Sequence, residues 1–192
     1  MKYLIANWKM NSIDISKWKN DFEDHYKEFK DNLEIIVCPN FIDLSECSEK
    51  FTYLSIGAQD VSSHREGSFT GQISAKQLLK ATNKLKYCIV GHSEVRHKGD
   101  SNFLVREKSE QLINNNIEPI LCIGEDKESL IRGERESFLL HQLNSYFENG
   151  SCPRLIAYEP IWAIGIGRAA DQKNIKEALE IISKFLKYKK LE

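Results

Sequence analysis

Apolar and polar positions fall into repeating blocks along this chain. Short apolar runs stand at 3–7, 34–38, 53–58, 87–90, 117–123 and 155–158. Each is followed by a polar junction and a longer amphipathic stretch, at 16–30, 42–50, 74–83, 101–115, 126–148 and 171–189. Runs this short suit strands buried on both faces, and the longer stretches suit helices with one apolar side. The last stretch shows the helical period best. Ile175, Leu179, Ile182 and Leu186 fall on one face with Lys and Glu opposite, and Asp171 stands where an N-cap is needed. Asn115-Asn116 can close the fourth helix in the left-handed conformation.

Six strands alternating with six helices imply an α/β fold with a parallel sheet and right-handed crossovers. No linker-like or low-complexity stretch interrupts the series, so residues 1–192 read as a single domain. The pattern fits an open doubly wound sheet or the wall of a (β/α) barrel. A dinucleotide-binding sheet opens with a glycine-rich turn after its first strand. Here the first strand runs into Asn7-Trp8-Lys9-Met10-Asn11, without glycine. That counts against a nucleotide site.

The chemistry gathers at the C-terminal ends of the runs, where parallel α/β folds place their active sites. The first run offers Asn7 and Lys9, the third Gln59, the fourth His92 and Glu94, and the sixth Glu159. A carboxylate, an imidazole and a cation together are the inventory for abstracting a proton next to a carbonyl. Each also has a structural reading: Lys9 as a solvated lysine, His92 as a core histidine, Glu94 as a first-turn carboxylate, Glu159 as a cap. After Glu159 come Pro160, Ile161, Trp162, Ala163, Ile164, Gly165, Ile166, Gly167 and Arg168. An apolar loop with spaced glycines suggests a segment that folds over a site and sheds water there.

Composition narrows the partners. Lys plus Arg is 27 and Asp plus Glu is 28, so no global basic field points to nucleic acid. No apolar run reaches membrane-span length, and the first residues are too short for a signal segment. A soluble cytoplasmic protein is expected. The five cysteines form no C-x-x-C pair, and Cys38, Cys88 and Cys122 sit in strand-like runs, which suits buried thiols in a reducing compartment. Without ligand spacing, neither a metal nor another cofactor is expected.

The stretches ANWKMN (6–11), GAQDVSSHREGSFTGQIS (57–74), IVGHSEVRH (89–97), LCIGE (121–125) and AYEPIWAIGIG (157–167) resemble the triosephosphate isomerases in order and spacing. The resemblance implies a glycolytic and gluconeogenic isomerase that interconverts dihydroxyacetone phosphate and glyceraldehyde 3-phosphate through an enediolate. It implies Glu159 as the base and His92 as the neutral imidazole on the substrate oxygens. Lys9 would supply positive charge, Asn7 would hold a substrate oxygen, and Glu94 would lie beside the lysine. Residues 160–168 would form the lid, with the Gly165 N–H on the phosphate.

Departures accompany the match. A full barrel of this kind has about 250 residues and eight strand–helix units, and six are legible here. The glycine turns by which the family's seventh and eighth strands hold phosphate are not found. The expectation is a truncated barrel whose proton-transfer residues are present and whose phosphate grip is impaired. The alternative is a catalytically weak scaffold whose exposed strand edges serve assembly. Ile166 and Arg168 replace the family's Thr and Lys in the lid. Gln72 and Val95 stand where the family has an intersubunit Glu and Arg, while Thr70 at the third loop's tip is kept. By resemblance, the chain is a homodimer or another homo-oligomer.

Overall fold

The computed structural model describes residues 2–26, 32–148, 150, 152–164 and 170–190. The described strands are β1 (Lys2–Asn7), β2 (Leu33–Cys38), β3 (Ser55–Ala58), β4 (Leu85–Val90), β5 (Glu118–Ile123) and β6 (Leu155–Tyr158). They follow chain order in one sheet, β1-β2-β3-β4-β5-β6, and the pairs β1–β2, β2–β3, β3–β4 and β5–β6 are parallel. The helices are α1 (Ile15–Tyr26), α2 (Leu44–Lys50), α3 (Ala75–Ala81), α4 (Ser93–Arg96), α5 (Asn102–Ile113), α6 (Lys127–Ile131), α7 (Arg135–Phe147) and α8 (Gln172–Tyr188). This is the wall of a (β/α) barrel with six of its eight units.

The chain divides into two compact units, Met1–Val90 with Lys108–Pro119, and Gly91–Glu107 with Ile120–Glu192. In the first, β1 and β2 pair without a slip from Lys2↔Leu33 to Asn7↔Cys38. Ile36, Val37, Cys38, Ile56, Ala58, Tyr87 and Cys88 form its core. Trp8 and Phe51 pack edge-on against Trp18 of α1, at ring separations of 5.3 and 5.1 Å, and so fasten α1 beside α2. Burial pushes the Cys38 thiol up to about 12, which leaves it protonated and inert. Lys108 is buried with its Nζ 2.9 Å from both Asp60 oxygens, a pairing that a buried ammonium requires.

In the second unit, α7 and α8 pack through Phe147 and Phe185, 5.5 Å apart. The expected helix over 126–148 is two helices. Gly133 at φ +72 reverses the chain between them, and Asp126 caps α6 by accepting the Ser129 N–H at 2.7 Å. The single turn α4 is too short to show a period in sequence. Other expected features are present: Asn116 is left-handed at φ +57, and Asp171 caps α8 by accepting the Lys173 N–H. Expected helix residues 27–30 lie outside the described set.

The apolar face of α8 is rotated from the one expected. Ala178, Ile182 and Phe185 are buried, and Ile182 is 6% exposed, whereas Leu179 is 51% exposed. The period locates an apolar arc, but the neighbouring helix decides which part of it is covered. Ile182→Ala should therefore cost about 2–5 kcal/mol, and Leu179→Ala should stay within about 0.5 kcal/mol. Urea denaturation of the two variants measures this, and equal losses would contradict the orientation.

Candidate active site

Glu159 owes its position to the β5–β6 ladder. Ile123 pairs with Tyr158, and one residue further the Glu159 N–H donates to the Ile123 carbonyl at 2.7 Å. The approach is close enough to require glycine at 124. A Cβ there would lie 1.8 Å from the Glu159 carbonyl oxygen. Pro160 then ends strand geometry because it has no N–H to give.

The mostly buried Glu159 carboxylate is held at both oxygens. Oε2 accepts the Ser93 backbone N–H at 2.9 Å, and Oε1 lies 3.2 Å from Nε2 of His92. His92 follows Gly91, whose φ of +68 turns the chain out of β4, and it N-caps α4. Its Nδ1 accepts the Glu94 N–H at 3.2 Å. A backbone N–H can only donate, so Nδ1 carries no proton and a neutral ring has its hydrogen on Nε2, toward Glu159. The Glu94 carboxylate is exposed, 3.6 Å from Nδ1. Arg96 braces the turn, donating to the Gly91 and Cys122 carbonyls and to Asn102 Oδ1.

A second carboxylate lies beneath. Glu125 is 0% exposed. It accepts from Arg135 Nε at 3.0 Å, from the Tyr158 hydroxyl at 2.9 Å and from Trp162 Nε1 at 3.0 Å. Arg135 also reaches Glu177 and Asn174 of α8. One buried charge thus ties together β5, α7, β6, α8 and the turn after β6 that carries Trp162. Ile161–Ala163 form a 3-10 turn, and Ile164 is exposed. The other residues of the expected lid, Gly165, Ile166, Gly167 and Arg168, lie outside the described residues.

In the first unit, Lys9 stands two residues past the end of β1 with φ +53, a costly conformation for a side-chain-bearing residue. Its N–H donates to Asn7 Oδ1 at 2.9 Å, and its carbonyl accepts from Gln59 Nε2 at 2.9 Å. Gln59 also donates to the Cys38 carbonyl at 3.0 Å. Three strand ends thereby hold one backbone turn.

The triosephosphate isomerase family profile matches residues 2–192. The chain belongs to the triosephosphate isomerase family. It is 38% identical over 183 residues to the triosephosphate isomerase of Methylococcus capsulatus, covering 91% of this chain and 72% of that protein. With the Thermus thermophilus triosephosphate isomerase it is 38% identical over 198 residues, 96% of this chain and 76% of the relative. With that of Mycoplasmopsis pulmonis it is 36% identical over 196 residues, with the same two shares.

Sequence reading singled out Glu159, His92, Asn7 and Lys9 because each lies at, or within two residues of, the end of an apolar run; the structure brings Glu159 and His92 together and, in the first unit, Asn7 and the Lys9 backbone. Sequence reading missed Ser93, which acts through its backbone, and it gave Glu125 no role. Glu125 had a signal: a carboxylate right after Leu121-Cys122-Ile123-Gly124, where a strand leaves the core. Arg135 and Tyr158 had none, since only packing brings them to it. Among the described residues no three His, Cys, Asp or Glu side chains group to hold a metal ion, and no helix is long and apolar enough to cross a membrane.

Burial, and then the Glu125 charge, push the Tyr158 hydroxyl well above the ordinary phenol value of 10.0. In the unfolded chain the phenol ionises near 10.0 and in the folded chain it does not, so this contribution to stability fades as pH rises past 10.0. Tyr158→Phe should cost about 1.5–3 kcal/mol near neutral pH, the loss of a hydrogen bond to a charged group. It should also make the decline above pH 10.0 shallower than in the unmodified chain. Urea titrations at both pH values test this, and an unchanged slope would count against it.

Proposed function

We propose that this chain interconverts dihydroxyacetone phosphate and glyceraldehyde 3-phosphate, with Glu159 as base and His92 as neutral hydrogen-bond donor. The observation that carries the roles is the 3.2 Å approach of His92 Nε2 to a carboxylate parked on the Ser93 N–H. A substrate carbonyl oxygen on Nε2–H would take the place that Oε1 holds, so substrate displaces the carboxylate toward the adjacent carbon. Glu159 then takes the C–H proton, and the electron pair moves into the carbonyl to give an enediolate. The Nε2–H stabilises that oxyanion, and His92 passes the hydroxyl proton between the two oxygens. Protonated Glu159 returns its proton to the neighbouring carbon, so the atoms balance.

The remaining roles rest on family membership. Lys9 supplies positive charge from a turn that Asn7 and Gln59 hold in place. Asn7 also holds a substrate oxygen, and Glu94 partners the lysine. The lid excludes water from the enediolate and brings the Gly165 N–H to phosphate. Its first turn is pinned by Trp162 on Glu125, so closure pivots against a fixed base. These steps use side chains and backbone alone, within glycolysis in a reducing cytoplasm.

A coupled assay on purified chain tests the chemistry. Glu159→Gln and His92→Gln should each lower kcat about 10²–10⁴-fold, the usual share of general acid–base catalysis. Activity that survives Glu159→Gln unchanged belongs to a contaminant and defeats the reading.

We further propose self-association through the third loop. The loop is stiff: Ser62 N–H donates to the Ile73 carbonyl, the Ser62 hydroxyl to Gln72 Oε1, and His64 stacks on Phe69 at 3.7 Å. Gln72 therefore braces its own loop, and Thr70 stands exposed at the tip. Met10 and Ile42, 97% and 92% exposed, offer the same unit apolar contact surface. Val95 is partly covered. Light scattering should show an oligomer that Met10→Glu with Ile42→Lys shifts toward monomer. A clean monomer of the unmodified chain at micromolar concentration would contradict this.

A further inference from the structure

We propose that a polar cavity at the base of the third loop binds a small hydroxylated phosphomonoester, through residues that the isomerase chemistry does not use.

The cavity measures about 330 Å³ and lies within the first compact unit. Three segments wall it: Arg65 from the third loop, Ala75 and Lys76 from α3, and Gln111, Asn114 and Asn115 from the end of α5 and the turn after it. Its size falls at the lower end of the range for small-molecule sites, about 300–1,000 Å³. It would hold about eleven waters at roughly 30 Å³ each, which suits a compact metabolite.

The lining selects the ligand's charge. Arg65 and Lys76 bring two cations, and no carboxylate lines the cavity. Glu66 takes Lys76 at 3.1 Å, a contact between two exposed side chains that water weakens. The fork of Arg65 is left without a carboxylate among the described residues. One positive charge is therefore in surplus, on the group whose planar donors match the paired oxygens of a phosphate.

The end of α5 selects for hydroxyl groups. A helix C-terminus ordinarily attracts cations through its bare carbonyls, but here the last four are occupied. Glu110 accepts the Asn114 N–H, Gln111 accepts Asn115 Nδ2 at 2.8 Å, Leu112 accepts the N–H groups of Asn115 and Ile117, and Ile113 accepts that of Asn116. What faces a ligand is amide side chains, each with donors and an acceptor, the arrangement that hydroxyl groups can satisfy. No aromatic ring lines the cavity to stack a base, and one surplus charge is too few for a run of nucleic-acid phosphates. With Ala75 as its one apolar lining residue, the cavity also lacks the anchor pockets a peptide needs.

The test titrates glucose 6-phosphate and, separately, inorganic phosphate into the full chain labelled with nitrogen-15, at about 0.15 M salt to screen diffuse attraction. Saturable binding of the sugar phosphate is expected, tighter than that of inorganic phosphate, with the side-chain amide resonances of Gln111, Asn114 and Asn115 shifting together. Arg65→Gln should weaken it about tenfold or more, the loss of a charge-assisted hydrogen bond. Arg65→Lys should fall between the two, because the charge stays and the fork is lost. Asn114→Asp, which sets a carboxylate in the cavity, should abolish binding. Both positions are exposed, so circular dichroism should match that of the unmodified chain. Failure to saturate, or affinity indifferent to Arg65→Gln and Asn114→Asp, overturns the proposal. Resonance shifts confined to the surroundings of Glu159 would assign the binding to that site and overturn it too. Inorganic phosphate binding as tightly as the sugar phosphate would overturn the ligand class. None of these readouts measures isomerase activity, so the outcome is independent of the roles given to Glu159 and His92.

Discussion

A carboxylate cut off from water must be given donors by the protein, and Glu125 sets that requirement for half of this chain. Removing a buried charge from water costs several kcal/mol unless hydrogen bonds replace its hydration. Arg135, Tyr158 and Trp162 supply them, and each comes from a different element. Arg135 brings its own need for partners and finds them in Glu177 and Asn174. Satisfying one charge thus fixes where α7 and α8 start, where β6 ends and how the turn Ile161–Ala163 sits after it. Glu159, the next residue after Tyr158, is positioned by the same network without touching it.

The two carboxylates divide the work by environment. Glu125 is sealed and fully bonded, so it serves as an anchor. Glu159 is mostly buried, and among the described residues its carboxylate meets the Ser93 N–H and the Nε2 of His92. Gly124 links the pair, because only a residue without a Cβ lets β5 pass flush against the Glu159 carbonyl. The start of the four-residue α4 serves both side chains: its first N–H, from Ser93, donates to Glu159, and its second, from Glu94, donates to His92 Nδ1. A short helix with no detectable period thus orders both side chains.

What could be read without coordinates follows from residue type and adjacency. Six apolar runs separated by amphipathic stretches lead to a parallel α/β wall, because strands of that length and purity are stable only when covered on both faces. Asn7, Lys9, His92 and Glu159 stood out as polar groups because each lies at, or within two residues of, the end of a run that must be buried. Asn116 and Asp171 were legible because left-handed turns and helix N-caps select few residue types.

Contacts between residues far apart in the chain were not legible. Nothing local distinguishes Arg135 from a surface arginine, or Tyr158 from any strand tyrosine; only packing brings them to Glu125. The break at Gly133 hid inside a continuous amphipathic pattern, since one glycine is compatible with both a helix interior and a helix end. The rotation of α8 shows the same limit. Sequence by itself determined that the helix is amphipathic and where it starts, through its period and its cap. Which flank meets α7 and which stays open was decided only by tertiary structure, because the hydrophobic effect rewards burial against any apolar surface and names no particular neighbour.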